Sequence, residues 1–245
     1  MKRIVDWFFT IPFLAAFFSI LAIFHILQVI ASFISYSAHN FVLTMMNYCL
    51  IKSFLLVGTK VRICGQDHFP ADRSLILISN HQSMYDIPVI VWTFRKHHPK
   101  FIAKLELARG IPSVSFALRT LGSALIDRSD PRQAMPAIKV FGSYVEANHF
   151  AACIFPEGTR ARDGKIKRFK PSGVYALLDS MPSALIVPIA INGSWKLLRN
   201  NLRPVPFGSK FSMHVLDPIE PNQMNRKELV TEVHRRISEE LERIE

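Results

Sequence analysis

The sequence predicts an α/β fold, a central mixed sheet flanked by helices, carried on an N-terminal hydrophobic helical membrane anchor. Three observations predict it. First, no Asp, Glu, Lys or Arg occurs between Asp6 and Lys52, whereas the rest of the chain is normally charged. Second, after Gly58 short apolar runs alternate with stretches of helical length, the pattern of a layered α/β structure. Third, two polar clusters, NHQSMYD and FPEGTR, each follow directly on an apolar run. In such folds the residues just past strand ends commonly line the active site.

The elements are taken in chain order. Lys2 and Arg3 after Met1 resemble the basic lead of a signal peptide, but the apolar stretch from Trp7 to Ile34 is longer than the roughly fifteen residues of a usual signal core. Retention is therefore expected. A spanning helix needs about twenty apolar residues, and this stretch supplies one. A second, more polar helix is expected from His39 to Val57. Pro12, His25 and Gln28 interrupt the first stretch. Two arrangements follow: a transmembrane hairpin, or two helices laid into one leaflet with Trp7, Phe8, Phe17, Phe18 and Tyr36 near the interface. Basic residues flank both ends, Lys2 and Arg3 before and Lys52, Lys60 and Arg62 after, so both ends are expected on the cytoplasmic side. Residues 1–57 are read as the anchoring segment and 58–245 as one α/β unit.

Within that unit the predicted strands are Leu75–Ser79, Phe101–Lys104, Ala124–Asp127, Cys153–Phe155, Leu185–Ile191 and Phe211–Val215. Helices are predicted over Pro88–Arg95, Val114–Thr120, Pro131–Asn148, Gly173–Ser180 and Arg226–Arg243. In the last, Leu229, Val233, Ile237, Leu241 and Ile244 form one apolar stripe with a charged outer face, which suits packing on the sheet.

Composition bounds the chemistry. Thirty Lys and Arg against nineteen Asp and Glu give a net charge of +11, which attracts phosphate-bearing partners without choosing among them. Apolar residues make up 49% and charged residues 20%, which excludes intrinsic disorder. Cys49, Cys64 and Cys153 are far apart, so neither a disulfide framework nor a cysteine zinc site is expected. No His, Cys and carboxylate group has metal-ligand spacing, so no metal is expected. Nor is nucleic acid, since no reading motif accompanies the charge.

In NHQSMYD, His81 and Asp86 are five residues apart. On one continuous helix they would lie about 140° apart and could not pair. If the chain instead turns at Ser83, whose S-x-x-D spacing to Asp86 reads as a capping box, His81 lies outside the helix and folds back on Asp86. A carboxylate on one imidazole nitrogen fixes the tautomer and leaves the other nitrogen as a base. The pair His97 and His98 reads instead as an exposed helix end. In FPEGTR, Pro156 and Gly158 make a turn that presents Glu157 and Arg160 at a strand end. Arg160 suits a phosphate, and Glu157 can accept from a hydroxyl or orient the arginine. Beyond it Arg160, Arg162, Lys165, Lys167, Arg168 and Lys170 fall within eleven residues, a basic loop suited to anionic head groups.

With NHQSMYD ahead of FPEGTR, the sequence resembles the 1-acylglycerol-3-phosphate acyltransferase family over nearly its whole length. Four blocks carry the resemblance: NHQSMYD at 80–86, GSALIDR at 122–128, FPEGTR at 155–160 and VPIAI at 187–191. It implies His81 as catalytic base and Asp86 as its partner. It also implies Arg128, Glu157, Gly158, Thr159 and Arg160 as binders of the acceptor's glycerol phosphate, and Lys104 as a further phosphate contact. Pro188 either shapes the substrate pocket or is a strand-edge proline. RFKPSG at 168–173 departs from the family's FKxG form. The implied reaction moves a fatty acyl group from an acyl-CoA or acyl-carrier-protein thioester, used as co-substrate with no cofactor, to the sn-2 hydroxyl of 1-acylglycerol 3-phosphate. The product is phosphatidic acid, made at the cytoplasmic face of the inner or plasma membrane. Three other functions compete: an acyltransferase acting on another lysophospholipid, a lipid hydrolase or thioesterase with Ser83 as nucleophile, disfavoured without a G-x-S-x-G elbow, and a non-catalytic membrane protein that binds anionic lipid.

Overall fold

The computed structural model describes residues 2–65 and 68–244. Met1 of the basic lead lies outside them, as do Gln66, Asp67 and Glu245 of the expected α/β unit. Seven strands form one sheet in the order β1-β7-β6-β2-β5-β3-β4. They are β1 (Val61–Gly65), β2 (Leu75–Ser79), β3 (Lys100–Lys104), β4 (Ala124–Ile126), β5 (Ala151–Ile154), β6 (Leu185–Asn192) and β7 (Phe211–Val215). Every pairing is parallel except that of β6 with β7, so the sheet is mixed.

Strand β2 explains the layering. Its LILIS run is buried throughout, as a central parallel strand covered on both faces must be. Its side chains alternate: Leu75 and Leu77 face a cluster containing Phe13, Phe54 and Val89, while Ile76 and Ile78 face one containing Ile138, Leu177 and Val233. The first layer is made by α1 (Lys2–Ile34), α2 (Tyr36–Ser53) and α3 (Asp86–Thr93), and the second by α5 (Pro131–Ala147), α6 (Pro171–Ser180) and α7 (Arg226–Ile244). The short α4 (Val114–Thr120) leads into β4. In α7 the stripe Leu229, Val233 and Ile237 is buried on the sheet, as its spacing predicts.

Four sequence expectations are corrected. Strand β1 was not predicted: it is a mostly exposed edge strand, so neither a continuous apolar run nor a clean alternation marks it. Pro188 is not at a sheet edge, because β6 lies between β7 and β2. Its carbonyl accepts from Leu216 N, just beyond the point where the β6–β7 ladder ends and before the isolated bridge of Ile186 to Ile219. The missing N–H thus falls in a gap of the ladder. His97 and His98 are not an exposed helix end: His97 is buried on Pro70 O at 3.0 Å, and His98 stacks on Phe150. The first helix begins at Lys2 and the second at Tyr36, separated only by Ser35, whose extended backbone and Oγ, accepting from Ala38 N, cap the second.

The apolar N-terminal helices share the core of the sheet. Along α1, Asp6, Thr10, Phe13, Phe17 and Leu21 recur at three- and four-residue spacing on the buried side. Ile4, Phe8, Ile11, Phe18, Ile26, Ile30 and Phe33 form an exposed apolar stripe. Phe13 and Phe17 pack against Tyr85 beside the H-x4-D turn. Fully burying each such ring contributes about 1.5–3 kcal/mol. Polar clasps fix the helix along its length. Phe207 N donates to Asp6 Oδ1 at 2.9 Å, Val205 N donates to Thr10 Oγ1 at 2.9 Å, and Ser113 Oγ donates to Leu21 O at 2.7 Å. At the far corner Tyr36 stacks on His98 and Phe150, with the Lys100 amine 5.0 Å above its ring. Lys100 is 1% exposed, and burial lowers its amine to about 7.

Candidate active site

The site is assembled at the C-terminal ends of β2 and β5. After Ser79 the chain leaves the sheet and turns before α3, and that turn brings His81 back over Asp86, with Nδ1 2.8 Å from Oδ2. Ser83 Oγ accepts from Tyr85 N while Asp86 Oδ2 accepts from Ser83 N, so the reciprocal contact expected of S-x-x-D forms with a slight shift. Asp86 is fully buried and occupied on both oxygens. Gln82 N and Ser83 N join His81 on Oδ2, and the Ser194 and Ser83 hydroxyls donate to Oδ1. A buried carboxylate needs such donors to stay charged. With Nδ1 engaged, the imidazole's Nε2 is left for a substrate, and the ring is stacked on Phe155 at 4.0 Å.

The FPEGTR turn is bonded to the same loop. His81 N donates to Glu157 Oε1 at 2.9 Å, and Ala161 N donates to His81 O at 2.7 Å. Glu157 is 3% exposed, so it is held beneath His81 and does not face solvent. Burial raises its carboxyl to about 7, with the nearby Asp86 charge adding to the effect and the His81 N–H and Lys167 opposing it. Gly158 adopts φ +74°, a left-handed value that a turn residue with a side chain rarely takes. Its carbonyl accepts from Arg128 Nη1, which draws the end of GSALIDR onto FPEGTR. Thr159 and Arg160 are exposed, and Lys167 Nζ bridges them, 3.2 Å from Thr159 Oγ1 and 2.9 Å from Arg160 O. Lys104, at the end of β3, lies 3.7 Å from Glu106, and its charge also acts on Asp127, the neighbour of Arg128.

The Acyltransferase family model matches residues 60–192, more than half of the chain. The chain belongs to the acyltransferase family. Among its relatives, the 1-acyl-sn-glycerol-3-phosphate acyltransferase of Borreliella burgdorferi is 27% identical over 206 residues, covering 82% of this chain and 79% of that one. The enzyme of that name from Cocos nucifera is 31% identical over 175 residues, covering 69% of this chain and 54% of that one. The chain thus spans most of the bacterial relative and about half of the plant one. The crystal structure of the 1-acyl-sn-glycerophosphate (LPA) acyltransferase PlsC from Thermotoga maritima superposes with a TM-score of 0.76, covering 100% of this chain and 98% of that one at 22% identity. That likeness establishes the shared fold.

In this acyltransferase Ser83 is not placed as a nucleophile. Its hydroxyl is buried and occupied by Tyr85 N and Asp86. Three contributors escape sequence reasoning. Ser194 reaches Asp86 from 108 residues away, and no local pattern marks it. Asn80 ties the end of β2 to β6, donating to Ile191 O and accepting from Ile191 N, which fixes the start of the His81–Asp86 turn. Gln82 Nε2 donates to Gly164 O at 3.2 Å and clips the basic loop to that turn. The basic run itself was visible, but not that Lys167 would fold back on Thr159.

Proposed function

We propose that this acyltransferase moves a fatty acyl group from a thioester to the free hydroxyl of 1-acylglycerol 3-phosphate, forming phosphatidic acid. The observation that carries the reading is the His81–Asp86 pair, with one imidazole nitrogen held by a buried carboxylate and the other open. Nε2 of His81 takes the hydroxyl proton as the acceptor oxygen attacks the thioester carbonyl. The tetrahedral adduct collapses with cleavage of the C–S bond, and the leaving thiolate receives the proton from the imidazolium. No acyl-enzyme is required. The donor is a coenzyme A or acyl-carrier-protein thioester, and no further cofactor takes part.

Arg128, Gly158, Thr159 and Arg160, with Lys104 at the neighbouring strand end, form the surface for the acceptor's glycerol phosphate. Glu157 serves differently, since its burial beneath the His81 amide makes it the support of the catalytic loop. The protein works on a membrane. At 33 residues α1 is about 50 Å long, and it is clasped to the α/β unit near both ends, at Asp6 and at the Tyr36 corner. A transmembrane hairpin would carry that corner across the bilayer. The clasps therefore favour two helices lying in one leaflet on the cytoplasmic side, with the exposed stripe of α1 in lipid.

The test is acyl transfer by the detergent-solubilised protein, with either donor, offered lysophosphatidate, glycerol 3-phosphate and lysophosphatidylcholine in parallel. Diacyl product from lysophosphatidate, lost in His81→Ala while membrane association persists, is the expected result. Unchanged turnover in His81→Ala overturns the mechanism, and product from another acceptor alone overturns the substrate.

A further inference from the structure

Between β3 and α4 the chain runs through a short 3-10 turn, Leu105–Ala108, and a bend to Ser113. A surface connection of this kind is normally polar, yet its large side chains point outward: Leu105 is 51% exposed, Leu107 39% and Ile111 36%. The loop is fastened to α1. Ser113 Oγ donates to Leu21 O at 2.7 Å, and Ser113 N donates to His25 Nδ1 at 3.3 Å. Those two α1 positions lie between Phe18 and Ile26 of the exposed apolar stripe. The attachment holds Ser113 at φ +64°, a conformation that costs about 1–3 kcal/mol and persists only where its surroundings enforce it. Arg109 is exposed on the loop, and Lys104 at its start neutralises Glu106, so the net charge is positive. Outward apolar side chains bordered by cations suit an anionic bilayer surface.

We propose that residues 105–111 are a second bilayer-inserting element, continuous with α1, through which the membrane reaches the strand end beside the active site. The inference rests on the membrane reading of α1. Its consequence is positional. Strand β3, which leads into the loop, is joined through β5 to β2, which leads into His81, and all three strands run parallel. The loop and the catalytic turn therefore leave the same edge of the sheet. With the loop inserted, a lysolipid's glycerol phosphate meets Arg128 and Arg160 at head-group level while its acyl chain stays in the leaflet.

The test is spin-label depth measurement on the full chain, with Cys49 and Cys64 replaced by Ser and the buried Cys153 retained. Labels are placed singly at Leu107→Cys, Leu105→Cys, Phe18→Cys on the α1 stripe, and Glu242→Cys on the outer face of α7. Vesicles of phosphatidylethanolamine and phosphatidylglycerol are then added. Expected is an inversion from nickel-chelate to oxygen accessibility at 18, 105 and 107, with 242 unchanged. Inversion at 18 with 105 and 107 still open to the nickel chelate overturns this proposal and leaves α1 as the anchor. No inversion at 18, 105 or 107 overturns both.

Discussion

Glu157→Gln separates the cost of burying a charge from the value of a hydrogen bond. In the folded chain the Glu157 carboxyl titrates at about 7, raised by burial from an ordinary value of 4.5. Between those two values the folded state holds a proton that the unfolded state has lost, so stability falls as pH rises through this window and is level outside it. At about 1.4 kcal/mol per unit, the penalty at pH 7 and above comes to about 3 kcal/mol. Glutamine keeps an oxygen to accept from His81 N and removes the charge, so the variant escapes the penalty without losing the contact. Denaturant unfolding in detergent from pH 4 to pH 8 reads it directly. The expected curves coincide near pH 4 and separate as pH rises, with the variant about 3 kcal/mol more stable at pH 8. Parallel curves, or a variant less stable than the parent at pH 8, would refute the reasoning by showing that a partner such as Lys167 compensates the charge.

Two further outcomes are expected. Asp86→Asn offers one acceptor oxygen where the carboxylate's two meet donors from His81, Gln82, Ser83 and Ser194. It should lower kcat by about a thousandfold or more with little change in KM, and steady-state kinetics on a variant with unchanged circular dichroism checks this. Lys100→Met replaces a buried amine, lowered by burial to about 7, with an apolar chain of similar length. For a base lowered in the folded state the penalty is full below 7 and fades as pH rises toward the ordinary 10.5. The variant should therefore be more stable than the parent by a few kcal/mol at neutral pH, and the two should converge near pH 10 in the same unfolding assay.

How much of this was legible depends on how local the determining physics is. LILIS announced a central strand because burial on both faces leaves no room for polar residues, and the α7 stripe announced its packed face by spacing alone. The fold-back of His81 on Asp86 was legible because the turn at Ser83 is encoded within seven residues. Strand β1 was not, since an exposed edge strand owes its existence to β7, far along the chain. Ser194 and the burial of Glu157 were invisible for the same reason: they arise only when β2, β5 and β6 lie side by side. Composition marked the apolar stretch of α1, but only contacts divide it into a face for the sheet and a face left exposed.

Those contacts also bear on how the chain is made. The clasps at Asp6 and Thr10 are closed by residues 201 and 195 positions later. Synthesis delivers α1 first and its partners at Val205 and Phe207 near the end. Until they emerge, Asp6 and Thr10 lack these partners, although Phe54 and Tyr85, against which Phe13 packs, are already made. During that interval the helix is expected to rest on the membrane through its exposed apolar stripe. Closing the two clasps is then expected to seat α1 on the sheet, so that the enzyme is finished at the membrane surface.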